Sequence, residues 1–268
     1  MKLKVLKGQT VWITGASSGI GLELAILAAE AGAHLHLFSS RKDSLAEAAR
    51  ICVAKGASSV HYTAVDVADS LATEKAAKEA LQGGGTPQYL LLNAGISQRS
   101  LTAETDFSVT RRIMDVNFFG AVMMTRVVLP SMIEAGGGHI AATSSIVGLF
   151  GFPLRSAYSA SKHALHGYFE TIALEYAHKN IQTTLAVPGR IKTPIGMRSL
   201  KGDGQVYGKT DPGQAQGMDA RLCAKRYWKA VLQGKWQIVI GGSETIIVFF
   251  RRWIPPLFRR IARKVKPT

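Results

Sequence analysis

The sequence predicts an α/β protein in which one doubly wound, seven-stranded parallel sheet carries helices on both faces. Short apolar runs rich in β-branched residues alternate with longer segments of helical period, and a glycine-rich turn follows the first run. Such alternation is typical of βα repeats, and nearly continuous apolar runs are typical of strands buried on both faces. The predicted strands are residues 10–14, 33–38, 60–65, 89–92, 139–143, 181–187 and 236–240, and the predicted helices are residues 20–31, 43–55, 71–81, 106–134, 156–178 and 218–233.

The chain is predicted to form one domain followed by a tail. No linker rich in glycine, serine or proline divides it, so we expect a single domain over residues 1–241 and a basic, apolar extension over residues 242–268. Residues 188–217 form a loop of about thirty residues, and loops of that length in compact domains are often lids or binding loops. We therefore interpret residues 188–217 as the substrate loop.

Composition excludes several classes of protein. The chain has 268 residues, of which 47% are hydrophobic, and this is enough to bury a sizeable core. Its two cysteines, Cys52 and Cys223, lie far apart, which favours a reducing compartment and gives no reason to expect a metal site. The first residues lack the apolar stretch of a signal peptide, and no segment has the roughly 18 uninterrupted apolar residues of a spanning helix. We expect a cytoplasmic protein.

The net charge of +15 predicts an anionic partner. Nucleic acid, an anionic membrane, an acidic carrier protein or a phosphorylated cofactor would each satisfy it. No acidic residue follows Glu244, whereas seven basic residues do: Arg251, Arg252, Arg259, Arg260, Arg263, Lys264 and Lys266. Since nearly half of the excess charge belongs to the tail, a distributed nucleic-acid surface is not expected.

A glycine-rich turn, TGASSGIG over residues 14–21, follows the first predicted strand and opens the first predicted helix. Glycines allow the backbone to approach a pyrophosphate, and the free N–H groups of the helix N-terminus stabilise its charge. The strand-turn-helix context distinguishes such a site from an ordinary tight turn. The sequence therefore predicts a Rossmann-type dinucleotide site.

The GxxxGxG spacing and four later motifs resemble a classical short-chain dehydrogenase/reductase over about residues 7–241. The motifs are Asn93-Ala94-Gly95, Asn117, Ser145 with Tyr158-Ser159-Ala160-Ser161-Lys162, and Pro188-Gly189 with Thr193. The resemblance implies an NAD(P)-dependent oxidoreductase that forms homo-oligomers, with Asn117, Ser145, Tyr158 and Lys162 as its catalytic residues. The cofactor-binding residues that it implies are Gly15, Ser17, Ser18, Gly19, Ile20, Ser39, Ser40, Arg41, Asp66, Val67, Asn93, Ala94, Gly95, Tyr158, Lys162, Pro188, Gly189, Ile191 and Thr193.

The implied catalytic residues suit hydride transfer between a nicotinamide and a carbonyl carbon. Tyr158 and Lys162 are four residues apart and share one helix face. The pKa of a free tyrosine is about 10, and a neighbouring lysine cation together with a positive nicotinamide would lower it. Ser145 would hydrogen-bond the substrate oxygen as charge develops on it, and Asn117 would hold a water that links Lys162 to solvent.

The end of the second predicted strand indicates which cofactor is bound. It reads LFSSRK over residues 37–42, with no carboxylate before Asp43. A carboxylate here would bind the ribose hydroxyls of NAD and repel a 2′-phosphate, whereas arginine suits a phosphate. The family's usual pattern has its arginine where Ser40 stands, so the cation here would be Arg41 or Lys42. We predict that NADP(H) is preferred over NAD(H).

The tail is basic and amphipathic. On a helical wheel its apolar residues fall on one side: Phe250, Trp253, Ile254, Leu257, Ile261 and Val265. Pro255-Pro256 should interrupt the helix. A segment of this kind is typical of an interfacial membrane helix, and the alternative is a helix that packs on its own body or on a partner subunit. Similar tails occur in the branch of the family that reduces lipid-like ketones, such as acyl-dihydroxyacetone-phosphate and 3-ketosphinganine reductases.

The sequence therefore predicts an NADPH-dependent reductase of a hydrophobic carbonyl compound, cytoplasmic or peripheral to a membrane. A 3-oxoacyl-carrier-protein reductase and a non-catalytic NADP-binding sensor or scaffold are the alternatives. The long predicted helices 106–134 and 156–178 are apolar over most of their surface, so a homodimer or homotetramer is expected.

Overall fold

The computed structural model describes residues 3–262 and contains the predicted seven-stranded parallel sheet. The strand order is β3-β2-β1-β4-β5-β6-β7, so the chain runs outward from β1 in one direction and then from β4 in the other. The strands are β1 (Thr10–Thr14), β2 (His34–Ser39), β3 (Ser59–Ala64), β4 (Tyr89–Leu92), β5 (Gly138–Thr143), β6 (Ile181–Pro188) and β7 (Gln237–Ile240). Ligands of such sheets bind beyond the carboxyl ends of the strands where the order reverses, here between β1 and β4.

Helices cover both faces of the sheet, and the predicted fold class is confirmed. They are α1 (Gly19–Glu30), α2 (Lys42–Ala54), α3 (Ser70–Gly84), α4 (Phe107–Met114), α5 (Gly120–Glu134), α6 (Ser156–Glu175), α7 (Pro212–Ala215), α8 (Ala220–Leu232), α9 (Ile246–Trp253) and α10 (Pro255–Ala262). Successive side chains of a strand point to opposite faces, so β1 contributes Val11 and Ile13 to the core beneath α1, α2 and α8. Trp12 points into the second core, beneath α3, α5 and α6.

The edge strands differ from the prediction that every strand is buried on both faces. In β3, His61 and Tyr62 are exposed, and β7 is only partly covered. Each edge strand has a neighbour on one side alone, and the helices do not extend fully over it. The predicted loop 188–217 also contains regular structure. Helix α7 lies within it, and Leu200 forms isolated β-bridges with both Gln98 and Val206.

One helix in the described part of the chain is long and apolar enough to cross a membrane by length and composition. It corresponds to the predicted helix 106–134, which the sequence analysis did not treat as a spanning segment. It runs continuously over Phe107–Glu134 and contains one π-helical turn, Asp115–Phe119. Met124, Val128 and Met132 on its inner side are fully buried against the sheet. This packing is that of a core helix.

The tail forms α9 and α10, which lie against the body near the loop that follows β5. Phe258 stacks edge-on against Phe150 with 5.3 Å between ring centroids, and Arg251 lies over the Phe258 ring. The helix is interrupted before Pro255, as the two prolines predict. This break divides the predicted apolar side, since Phe250 and Ile261 face inward while Trp253, Ile254 and Leu257 are exposed. Predictions for Arg263, Lys264, Val265 and Lys266 concern positions outside the described residues.

Candidate active site

The turn after β1 forms one wall of a cleft of about 330 Å³ at the carboxyl edge of the sheet. Gly15 adopts φ +66°, in the left-handed region that favours glycine, and a Cβ there would lie 2.8 Å from the Ala94 Cα. A Cβ on Gly21 would overlap the Gly15 carbonyl oxygen. The glycines therefore let the turn close and bring the backbone to the cleft, as a dinucleotide requires.

All of the predicted cofactor-binding residues line this cleft: Gly15, Ser17, Ser18, Gly19, Ile20, Ser39, Ser40, Arg41, Asp66, Val67, Asn93, Ala94, Gly95, Tyr158, Lys162, Pro188, Gly189, Ile191 and Thr193. They come from the ends of β1 to β4 and of β6, from α1 and α6, and from the substrate loop. The donor set and the glycine-lined wall fit a nicotinamide dinucleotide. The individual binding roles stay predictions.

Two arginines meet at the end of the cleft beside β2. Arg41 donates from Nη2 to the hydroxyls of Ser17 (2.7 Å) and Ser18 (2.9 Å). Arg198, from the substrate loop, donates to the same Ser18 hydroxyl at 2.9 Å. Burial and the charge of Arg198 lower the pKa of Arg41. Lys42, the alternative cation of the sequence analysis, begins α2, is exposed and does not line the cleft.

A second arginine that the sequence analysis missed lies beside Asp66 and Val67, two of the predicted cofactor-binding residues. Arg112, on α4, donates to Asp66 at 2.6 Å, and both residues line the cleft with Val67. The two are far apart in sequence, so the contact has no local signature. It closes the cleft on the side of α4.

Tyr158 and Lys162 share one face of α6 and point into the cleft, with Lys162 Nζ 5.8 Å from the Tyr158 ring centroid. Lys162 is only 3% exposed, and its ammonium donates to the Thr143 carbonyl oxygen at 2.7 Å. Ser145 follows β5, and its hydroxyl faces the Tyr158 phenol. The structure thus brings Ser145, Tyr158 and Lys162 together at the wall of the cleft.

Burial dominates the pKa values of this group. It lowers the pKa of Lys162 to about 7 and raises that of Tyr158. The Ser145 hydroxyl and the nearby charge of Arg99 oppose the rise at Tyr158. The sequence analysis expected Lys162 together with a positive nicotinamide to lower the Tyr158 pKa, and this stays a prediction for the cofactor-bound protein. The protein's own groups raise that pKa.

Asn117 lies apart from the cleft lining, in the π-helical turn. Its Oδ1 accepts from Ile96 N (2.8 Å), and its Nδ2 donates to Ile96 O (2.9 Å) and to the Ser161 hydroxyl (2.9 Å). The amide therefore fixes the segment after β4 against α6. π-helical turns are often found at functional sites. Its role in holding a water stays a prediction.

A second cavity, of about 450 Å³, opens on the other side of Tyr158 and Ser145. Its apolar wall consists of Ile146, Val147, Phe150, Phe152, Ile195, Ile246, Ile247, Phe250 and Ile261. The residues from position 246 onward belong to α9 and α10, so the tail roofs this cavity. Tyr158 thus stands between the cleft and an apolar chamber.

Three buried charged residues form the polar end of the chamber. Asp211 of the substrate loop pairs with Arg99, which follows β4, and with Arg155, which precedes α6 (Arg155 Nη2 to Asp211 Oδ2, 3.3 Å). Arg155 also donates to the Gln98 carbonyl oxygen at 2.9 Å. Sequence reasoning missed this cluster, because its members are far apart in the chain and none belongs to a motif.

Comparison with known proteins identifies the family. Residues 9–203 match the family model described as short chain dehydrogenase. A mouse (Mus musculus) protein named dehydrogenase/reductase SDR family member 7B is 38% identical over 260 residues, which cover 96% of this chain and 80% of that protein. The chain belongs to the short-chain dehydrogenase/reductase (SDR) family. This SDR is an oxidoreductase acting on CH–OH or C=O groups with a nicotinamide cofactor.

Two solved structures share the SDR fold. One, from Burkholderia phymatum in complex with NAD, has a TM-score of 0.81, is 23% identical and covers 98% of each chain. The other, an alcohol dehydrogenase from Thermococcus sibiricus complexed with 5-hydroxy-NADP, has a TM-score of 0.76, is 22% identical and covers 88% of this chain and 97% of that one. Since the two hold different cofactors, the cofactor preference of this SDR has to be argued from its own residues.

Proposed function

We propose that this SDR is an NADPH-dependent reductase of a hydrophobic carbonyl compound. The observation that carries the proposal is the position of Tyr158 and Ser145 on the boundary between the dinucleotide cleft and an apolar chamber roofed by the tail. A ketone in the chamber would present its carbonyl to both hydroxyls. Its apolar remainder would lie against Phe150, Ile247 and Phe250.

In the proposed reaction, the chemistry that NADPH would supply when held in the cleft is a hydride for the carbonyl carbon. Tyr158 gives its phenolic proton to the carbonyl oxygen, and the raised pKa of this tyrosine keeps the proton in place at neutral pH. Ser145 donates a hydrogen bond to the same oxygen as negative charge develops. Lys162, held by the Thr143 carbonyl, lies where it can bind the nicotinamide ribose and restore the Tyr158 proton. In the alcohol product, the hydride is bound to the former carbonyl carbon and the Tyr158 proton to its oxygen.

The preference for NADP(H) is supported by the charge at the β2 end of the cleft. Arg41 and Arg198 face the hydroxyls of Ser17 and Ser18, and neither guanidinium forms an ion pair within residues 3–262. A 2′-phosphate would supply the missing negative charge. Titration should give tighter binding of NADPH than of NADH, and equal affinities would contradict the preference.

The hydrophobic substrate is tested by NADPH oxidation with ketones graded from short and polar to long-chain. We expect kcat/KM to rise with chain length and Tyr158→Phe to abolish turnover. Phe250→Ala should reduce the increase in kcat/KM for each methylene added to the ketone, because Phe250 lines the chamber. Phe249→Ala is the matched control, since its side chain is 53% exposed and outside the chamber lining. Turnover restricted to small ketones would contradict the hydrophobic substrate.

We also propose that the outer side of the tail contacts an anionic membrane surface. Phe249 and Trp253 are more than half exposed there, beside exposed arginines at 251, 252, 259 and 260. An apolar surface with Trp and a basic margin suits a lipid interface. Trp253→Ala should reduce co-sedimentation with anionic vesicles while leaving turnover of a short ketone unchanged. Equal sedimentation of both proteins would contradict membrane contact.

A homo-oligomer is proposed from the apolar surface of α4 to α6. Phe107, Phe119 and Leu174 are exposed on these helices, and sedimentation should give a dimer or tetramer. The carrier-protein alternative predicts that carrier-bound β-ketoacyl substrate turns over far better than the free ketone. The sensor alternative predicts tight NADPH binding with no turnover of either.

A further inference from the structure

Arg198 occupies an unusual place for a residue of the substrate loop. Its guanidinium extends to the glycine-rich turn and donates to the Ser18 hydroxyl at 2.9 Å. Arg41, at the end of β2, donates to the same oxygen at the same distance. The Ser18 hydroxyl therefore accepts hydrogen bonds from two arginines that lie far apart in the chain.

The two arginines share a neutral hydroxyl and have no negatively charged partner among the described residues. Within residues 3–262, the Arg41 guanidinium donates only to serine hydroxyls and the Arg198 guanidinium only to Ser18, and neither lies within ion-pair distance of a carboxylate. Burial and the proximity of Arg198 both lower the pKa of Arg41, so the two like charges repel. Two guanidiniums that converge without a carboxylate form a site for an anion with several acceptor oxygens.

We propose that Arg198 and Arg41 together bind the 2′-phosphate of NADP(H), and that this phosphate fastens the substrate loop over the cofactor. This inference rests on the proposed preference for NADP(H). The phosphate would accept from both guanidiniums and from the hydroxyls of Ser17 and Ser18. A cofactor without it would leave Arg198 held by one neutral hydroxyl.

The loop transmits this contact to the carbonyl chamber. Arg198 lies between Thr193, which lines the cleft, and Leu200, whose backbone pairs with Ser97 and Arg99. Ile195, three residues before Arg198, lines both the cleft and the chamber. Fixing Arg198 therefore restricts the segment 194–199 that separates cofactor from substrate. Arg198 acts as a specificity-determining residue for the cofactor and as a positioning residue for the chamber wall.

The first test measures binding of 2′,5′-ADP and 5′-AMP, two probes that differ in the 2′-phosphate and lack nicotinamide. Arg198→Ala should lower affinity for 2′,5′-ADP by about tenfold to a hundredfold, the loss expected for a charged hydrogen bond, and leave 5′-AMP unchanged. Lys192→Ala is the matched control, because Lys192 is an exposed cation of the same loop outside the cleft lining.

The outcomes separate this inference from the proposed cofactor preference. If the unmodified protein binds both probes equally, the preference for NADP(H) fails and the inference fails with it. If it prefers 2′,5′-ADP and Arg198→Ala keeps that preference in full, the inference alone is overturned. An equal loss for both probes would assign Arg198 to the 5′-phosphate and would also overturn it.

The second test follows the loop itself by hydrogen exchange at equal probe occupancy. Amides of residues 195–199 should exchange more slowly with 2′,5′-ADP than with 5′-AMP, and Arg198→Ala should remove the difference. The same exchange with both probes would overturn the fastening of the loop by the phosphate.

Discussion

Two pairs of arginines flank the reaction site, and they differ in their counter-charge. Arg99 and Arg155 enclose Asp211, and all three side chains are at least 87% buried from solvent. Arg41 and Arg198 enclose only the hydroxyl of Ser18. The substrate loop supplies the carboxylate to the first pair and an arginine to the second. The Asp211 carboxylate neutralises one of the two charges of the first cluster, whereas the second contains no carboxylate among the described residues and suits an anionic ligand.

The largest effect is expected from removing the carboxylate of the paired cluster. Asp211→Asn keeps the side-chain volume but leaves Arg99 and Arg155 as buried like charges, so the free energy of unfolding should fall by about 3 kcal/mol or more. Urea denaturation measures the change. Asp203→Asn, at an exposed carboxylate of the same loop, is the control and should have little effect. If Asp211→Asn lowers the free energy of unfolding no more than Asp203→Asn does, the cluster does not stabilise the fold.

A smaller effect is expected from the unpaired cluster, and it should appear in binding. Arg41→Ala should lower the affinity for NADPH by about tenfold to a hundredfold, the loss expected for a charged hydrogen bond, while the affinity for NADH changes little. Lys42→Ala should change neither, because Lys42 is exposed and outside the cleft lining. Calorimetric titration of both variants would decide which residue supplies the charge. A greater loss in Lys42→Ala would reverse the assignment.

Lys162 is a third cation without a carboxylate partner among the described residues, and unlike Arg41 and Arg198 it is buried. Burial lowers its pKa in the folded protein to about 7 from 10.5, so between these pH values the unfolded chain binds more protons. The charge therefore destabilises the fold most near and below pH 7, and the penalty disappears as pH rises toward 10.5.

Lys162→Met should consequently raise the free energy of unfolding by about 1 kcal/mol at pH 7 while abolishing turnover, a cost in stability of the kind common at active sites. The lost bond to the Thr143 carbonyl limits the gain. Urea titrations at pH 7 and pH 9 should show the advantage of the variant shrinking at the higher pH. An advantage that grows with pH would contradict a lowered Lys162 pKa.

The fold and the cleft could be predicted from sequence because their signals are local. Buried strands such as 10–14 and 89–92 are largely apolar, and the turn over residues 14–21 has a spacing fixed by close backbone contacts. The exposure of β3 could not be predicted in this way. Its residues resemble those of a central strand, and only the strand order makes it an edge.

The arginine clusters lacked a local signal for the same reason. Arg99 and Asp211 are 112 residues apart, and Arg198 and Ser18 are 180 residues apart. Each is an ordinary loop residue until the fold brings it to its partner. Arg41 was identified because it lies next to a strand end whose function is known from the fold, whereas Arg198 lies in a loop whose path the sequence does not specify.

The roof of the apolar chamber comes from the part of the chain that follows the last strand. Ile246, Ile247, Phe250 and Ile261 form it, and none of them supports the sheet or the cofactor cleft. If the chamber holds the carbonyl substrate as proposed, the range of compounds accepted can change through this terminal segment while the residues of the cleft stay constant. In evolution, and equally in protein engineering, exchange of the segment after Gly241 would alter substrate range independently of cofactor choice.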